Sequence, residues 1–349
     1  MNLNANNRIP SLDGLRTISV LCVVASHFLY TLGFGDRFNL GILGVKFFFV
    51  ISGFLITGLL LKEIEKTSAI DLPKFYFRRT LRIFPPYYFY LFVIFLASFF
   101  GILNIRNESF IAPITYTSNY INVDTWNLLH TWSLSVEEQF YLIYPFILLL
   151  LGRTKIVWIL GGLVILSPFL RLLDYQIFSE SGKMWIYYSF HANADGLAVG
   201  CLLAIFYEKL HQNNLYLKLL KSRFIFIIPI VLVFVNSTID PREFYLGLSF
   251  TISNFLIAIC IDWAITNYEN NLFGRLLNTA IMTQIGVMSY SIYLWQQPFL
   301  NRSEPQWFNL FPYNFIGIVV FSFISFYLIE STSLAWRHKI EAKLFPKRT

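Results

Sequence analysis

Arg16 and His27 stand eleven residues apart in the first long apolar run, Arg16-Thr-Ile-Ser-Val-Leu-Cys-Val-Val-Ala-Ser-His27. On an α-helix those eleven steps span about 16 Å with a net rotation of only about 20°. The pair therefore shares one face, the arginine at a membrane surface and the histidine near mid-depth. An ionisable side chain at that depth is costly and marks a functional site by default. Histidine, with an unperturbed pKa of about 6.5, suits proton abstraction near neutral pH. The spacing points to a charged donor held at the Arg16 end and chemistry at His27. The competing reading is an interfacial arginine and a histidine hydrogen-bonded between helices.

Three more stretches carry polar groups beyond what membrane packing needs. Lys74-Phe-Tyr-Phe-Arg78-Arg79-Thr-Leu-Arg82-Ile-Phe-Pro85-Pro86 puts Arg79 and Arg82 one helical turn apart. Paired guanidiniums offer a fork suited to phosphate, although plain positive-inside anchoring also places arginines there. Ser52-Gly53, inside the second apolar run, lets a backbone approach closely or breaks the helix beside a cavity. His130-Thr-Trp132-Ser133-Leu-Ser135-Val-Glu137-Glu138-Gln139 sets two carboxylates at a membrane entrance. Ser135 with Glu138 fits a capping box, which accounts for one glutamate and leaves Glu137 over.

The elements that must position these groups are membrane helices. The 349 residues are 56% hydrophobic and 13% charged, about half the charge of a soluble domain. Apolar runs near 17–35, 41–61, 83–101, 139–152, 156–172, 189–207, 224–236, 247–266, 283–300 and 313–331 predict ten spans, and each long run can cross roughly 30 Å of hydrocarbon. With both termini inside, twenty of the 27 Lys and Arg residues fall on the inner side and six on the outer: Arg37, Arg106, Arg171, Lys183, Arg242 and Arg302. Lys46 lies within span two. That asymmetry obeys the positive-inside rule. The net charge of +7 is spread between apolar runs, so it does not indicate nucleic acid. Cys22, Cys201 and Cys260 each sit inside an apolar run and read as small core residues, neither a disulfide framework nor a metal site. The N-terminus lacks the order of a cleaved signal peptide, so the first span is expected to be retained. The expectation is one all-α integral-membrane domain over residues 1–349, with no soluble catalytic appendage.

Several motifs then occur in a fixed order: Arg16-x10-His27, Phe48-Phe-Val-Ile-Ser-Gly-Phe-Leu55, Arg79-x-x-Arg82-x-x-Pro85 and Trp132-Ser-Leu-Ser-Val-Glu-Glu-Gln-Phe-Tyr141. His191-Ala-Asn-Ala-Asp195-Gly-Leu-Ala-Val-Gly200, Ile285-Gly-Val-Met-Ser-Tyr-Ser-Ile-Tyr-Leu-Trp295 and a late Glu330 follow. In this the chain resembles the membrane-bound acyltransferase 3 family, O-acetyltransferases of bacterial surface polysaccharides, from about residue 8 to 335. The resemblance implies ten helices in the bacterial cytoplasmic membrane. It also implies acyl transfer, commonly of acetyl from cytosolic acetyl-CoA, onto a glycan hydroxyl outside, with no metal. It marks Arg16, His27, Arg79, Arg82 and Glu137 as important. The assignment that follows has His27 and Glu137 catalytic, Arg16, Arg79 and Arg82 on the CoA phosphates, and Ser52, Trp132, Glu138 and Asp195 on substrate. His27 acts as general base or acylated nucleophile; Glu137 orients His27 or binds sugar. Three positions depart from the family pattern, Gln296, Asn193 and Ser331, and bear on donor pocket or acceptor choice. Some relatives carry a soluble SGNH-hydrolase-like domain, and none is expected here. A polytopic transporter or glycan flippase is the alternative function, weakened by the absence of an inverted internal repeat.

Overall fold

The computed structural model describes residues 9–178, 187–237, 242–267, 271–301, 303 and 305–345. Arg8, Lys183, Arg302, Lys347 and Arg348, and parts of the expected outer loops 173–188 and 301–312, lie outside the described residues. The helices are, in order, α1 (Pro10–Thr31), α2 (Leu40–Thr67), α3 (Leu72–Phe99), α4 (Thr131–Ile177), α5 (Phe190–His211), α6 (Ile227–Asn236), α7 (Phe250–Thr266), α8 (Leu272–Leu277), α9 (Ala280–Val287), α10 (Ser289–Phe299), α11 (Tyr313–Ile324) and α12 (Ser331–Leu344). No strand occurs among the described residues. π-helical turns, Tyr245–Ser249 and Ser325–Glu330, lead into α7 and α12.

Seven helices are long and apolar enough to cross a membrane, or eight when Asn214–Lys221 and Arg223–Asn236, bent by 64°, count as one span. The protein is a multi-pass membrane protein. Two places separate this count from the ten expected spans. The fourth and fifth both fall on α4, whose 47 residues are interrupted at Gly152, with φ 68° and ψ 174°. The ninth falls on α9 and α10, of eight and eleven residues, each shorter than the roughly 20 that cross a bilayer. Helix α3 starts earlier than the apolar run suggests. Asp71 caps it by accepting the Lys74 N–H at 3.0 Å, and it continues through Pro85 and Pro86. Arg79 and Arg82 thus sit inside a helix rather than at its entry.

The chain forms two compact units, Met1–Glu65 with Leu151–Ser289, and Lys66–Leu150 with Tyr290–Thr349. In the first, small residues let backbones touch. A Cβ on Gly53 would strike the Leu197 backbone, and one on Gly200 the Val50 backbone, so α2 and α5 cross in direct contact. Ser52-Gly53 therefore marks a close approach within an unbroken helix. Helix α1 docks the same way, Gly14 against Leu277 and Gly286 against Asp13, with the Thr17 hydroxyl donating to the Met282 carbonyl.

In the second unit the segment after α3 folds back on it. Tyr87 donates to the Pro113 carbonyl at 2.8 Å and Tyr88 to Ile114 at 3.1 Å. The Tyr116 ring stacks on Tyr87 at 4.5 Å and on Phe84 at 5.5 Å, near the middle of α3. Gln139 of α4 donates to the Tyr116 carbonyl and exchanges bonds with Asn119. Non-helical backbone at that depth is tolerated because protein donors satisfy it. A stretch expected to be an outer loop is thus partly built into the bundle.

Gly200→Leu should cost about 3 kcal/mol or more, because a backbone rather than a flexible side chain must move. The detergent-purified variant is expected to melt well below wild type. Gly161→Leu, where nothing lies within 4 Å of the added carbon, should leave the melting temperature unchanged.

Candidate active site

Each unit carries its own polar set. In the first, α1 runs without interruption from Pro10 to Thr31, so Arg16 and His27 do lie on one helix in register. Both side chains are half-buried, whereas Thr17, Ser19, Val20 and Val24 are buried in the packing. Gly44 of α2 abuts the Ser19 backbone and Val23, crossing α1 between the levels of Arg16 and His27. Ser52 is half-buried further along α2.

Asp195 has a different setting from the other expected substrate residues. Its Oδ2 accepts from Arg171 Nη1 at 3.0 Å and from the Thr251 hydroxyl at 2.6 Å, and both members of the ion pair are 1% exposed or less. Arg171 also donates to the carbonyls of Ala192 and Leu246 at 2.6 Å and Gly247 at 3.3 Å. Counted from the sequence as an outer-surface charge, Arg171 is in fact at the centre of the unit, joining α4, α5 and the π-turn before α7. Lys46 is buried nearby, donating to Asn236 Oδ1 at 3.1 Å and lying 3.6 Å over the Phe250 ring. Asn193, one of the departures from the family pattern, donates to the carbonyls of Tyr187 and Ser189.

In the second unit, the Arg79 guanidinium lies 4.2 Å over the Tyr141 ring, which holds it along α4. Glu138 is within electrostatic range of both Arg79 and Glu137, and its Oε1 is buried with no hydrogen-bond partner. The Tyr116 hydroxyl and Trp295 Nε1 are buried in the same unpaired state. Unsatisfied buried polar atoms normally cost about 1–3 kcal/mol each, so Glu138 and Tyr116, within electrostatic range of each other, fit a place kept for a polar ligand. Arg82 follows Arg79 by one turn on α3. Glu330, at the end of the second π-turn, accepts from the Ser291 hydroxyl at 3.0 Å.

Trp132 is 5% exposed. The expected capping box is absent: α4 begins at Thr131, and the Ser135 hydroxyl bonds back to the Thr131 carbonyl at 3.0 Å. Both glutamates are thereby left for other work. The structure brings Arg79, Glu137 and Glu138 together in one unit, and Arg16 with His27 in the other. Sequence reasoning missed Tyr116 and the role of the tyrosines after Pro86; the run Tyr87-Tyr88-Phe89-Tyr90 was the available signal. Among the described residues no trio of His, Cys, Asp or Glu is placed to hold a metal ion.

The geometry of Asp195 predicts a structural role. Asp195→Leu leaves Arg171 buried without its counter-charge and should cost about 3–5 kcal/mol, with only part of that recovered in Arg171→Met/Asp195→Leu because the carbonyls Arg171 serves lose their donor. Thermal melting of the purified variants reads this. A normal melting temperature with lost activity in Asp195→Leu would instead make Asp195 a substrate ligand.

The sequence matches the model of the acyltransferase 3 family, described as an acyltransferase domain, over residues 9–331. O-acetyltransferase OatA of Staphylococcus aureus strain NCTC 8325 is 33% identical over 314 residues, covering 84% of this chain and 50% of the relative. OatA of strain COL gives the same figures, and the protein SACOL0978 of that strain is 33% identical over 316 residues, covering 82% and 50%. The chain thus spans about half the length of the curated relatives it matches. No solved structure matches it. With nearly its whole length inside the family's model and 33% identity to these relatives over the aligned region, the chain belongs to the acyltransferase 3 family.

Proposed function

We propose that this protein is an integral-membrane O-acyltransferase. It moves an acyl group, acetyl foremost, from acyl-CoA on the cytosolic side to a hydroxyl of a glycan on the outer side. The acceptor is a lipid-linked or surface glycan of the O-antigen, capsule or exopolysaccharide kind. The observation that carries this reading is the placement of Arg16 and His27 on one uninterrupted helix, about 16 Å apart along it. The names of the staphylococcal relatives, O-acetyltransferases, point the same way.

The topology is ten spans in the bacterial cytoplasmic membrane with both termini inside, α4 dividing at Gly152 and α9–α10 forming one broken span. Arg79 and Arg82 take phosphates of the donor, and Arg16 serves its anionic part. His27 removes the proton of the acceptor hydroxyl or is itself acylated. Glu137 orients the base or binds sugar. Ser52, Trp132 and Glu138 contribute to substrate binding, Glu138 through the carboxylate oxygen left without a partner in the fold. Asp195 is reassigned to holding the bundle. The carrier or flippase reading gives no reason for a phosphate fork one turn long or for two half-buried groups in register on α1.

Labelled acetyl transfer from acetyl-CoA to cell-surface glycan tests the reading in membranes. Wild type is expected to transfer label, and His27→Ala at equal abundance to lose about 10²–10⁴-fold, the usual worth of a positioned proton acceptor. Full transfer by that variant would remove His27 from the chemistry. Arg79→Ala should raise the apparent KM for donor more than for acceptor; an unchanged donor KM counts against the fork.

A further inference from the structure

The start of α3 carries a second basic group that the phosphate fork does not use. Lys74 and Arg78 stand four residues apart, so they share one face of the helix, about 6 Å apart along it. Arg78 grips Glu341 of α12 with two parallel bonds, Nε to Oε2 at 2.8 Å and Nη2 to Oε1. Lys74 Nζ lies 3.7 Å from the same carboxylate, and Arg337, one turn back on α12, acts on it electrostatically. Three cations thus act on the Glu341 carboxylate. The other nearby acid, Asp71, has Oδ1 on the Lys74 backbone N–H as the helix cap. The side chains remain reachable, Arg78 47% and Lys74 28% exposed against 16% for Glu341.

Helix α12 is fastened to α3 elsewhere, by the Ser333 hydroxyl on the Leu81 carbonyl and by Phe77 against Phe345 at 5.8 Å. The Glu341 side chain can therefore swing out without undocking α12. A bidentate arginine–carboxylate pair has the same fork geometry as arginine with phosphate. A set of cations that converges on one partly exposed carboxylate, with an arginine fork already in place, is arranged to accept a doubly charged anion in that carboxylate's place.

We propose that Lys74, Arg78 and Arg337 form a phosphate-monoester site that Glu341 occupies until ligand arrives. Its ligand is the 3′-phosphate on the adenosine of the acyl-CoA donor. This rests on the acyl-CoA reading given above and extends it. The pyrophosphate goes to Arg79 and Arg82, and the 3′-phosphate to the ring of cations one turn nearer the start of α3. Glu341 makes the site selective: a ligand without a phosphate here must leave the carboxylate where it is and gains nothing.

Calorimetric titration of protein in phosphatidylcholine nanodiscs tests this without depending on transfer. Adenosine 3′,5′-bisphosphate should bind at least about tenfold more tightly than adenosine 5′-phosphate, as a charge-assisted fork is worth that factor or more. Arg78→Ala should erase the difference while leaving adenosine 5′-phosphate binding unchanged. Glu341→Gln should widen it; Lys74→Met, reducing it, serves should Arg78→Ala fail to fold. Equal binding of the two nucleotides by wild type overturns the proposal. So does a preference that survives Arg78→Ala, or one that disappears only when phosphatidylglycerol is added, which would give the site to lipid headgroups. Turnover separates this from the parent reading. If wild type uses acetyl-CoA and acetyl-dephospho-CoA with equal kcat/KM, the 3′-phosphate site fails and the acyltransferase stands. If it uses neither while the bisphosphate preference persists, the phosphate site stands and the acetyl donor is wrong.

Discussion

A carbonyl at membrane depth has no water to turn to, and the need to supply it with a donor governs most of this structure. At several places where the chain leaves regular α-helix, a side chain meets the freed oxygen. Tyr87 and Tyr88 do so for Pro113 and Ile114, Gln139 for Tyr116, and Arg171 for Leu246 and Gly247 in the π-turn before α7. A guanidinium is well suited to that task, since its five donors reach several carbonyls from one centre. Asp195 then balances the charge that the arginine brings with it. The buried ion pair thus follows from an irregular backbone.

The same constraint separates two kinds of polar group. Those that complete the backbone are fully paired and buried, as Arg171, Asp195, Ser135 and Tyr87 are. Others keep capacity left over, among them Asn254 in the first unit and Glu138 and Tyr116 in the second. The Glu138 Oε1 and the Tyr116 hydroxyl are buried without a hydrogen-bond partner. Groups in that state suit a polar ligand, and their cost is sustained because the surrounding bonds overdetermine the fold.

The helical class, the membrane setting and the pairing of Arg16 with His27 could be read from the residues, because an apolar run and a helical period leave little freedom. The roles of charges could not. Arg171 looked like an outer-surface residue because loop counting sees only position along the chain, whereas its burial depends on Asp195, twenty-four residues later, and on carbonyls still further away. Ser135 and Glu138 satisfied the pattern of a capping box, yet the helix starts at Thr131 and absorbs the serine. Ser52-Gly53 allowed either a break or a close crossing, and only the facing Leu197 backbone decides between them. The tyrosines after Pro86 were unread since their targets are backbone atoms, which no side-chain pattern announces.

The docking of α1 on glycine has a consequence for how the protein is made. Gly14 fits against Leu277 and Asp13 against Gly286, so the first helix meets its main partners more than 260 residues after its own synthesis. At about 5–20 residues per second a ribosome takes on the order of 10–50 s to reach them. Over that interval α1, carrying Arg16 and His27, has its contact with α2 at Gly44 but not its later seat. Its polar face must be sheltered by the insertion machinery or by provisional helix partners. Biogenesis, rather than final stability, is then the stage at which the charge on α1 is most exposed to error.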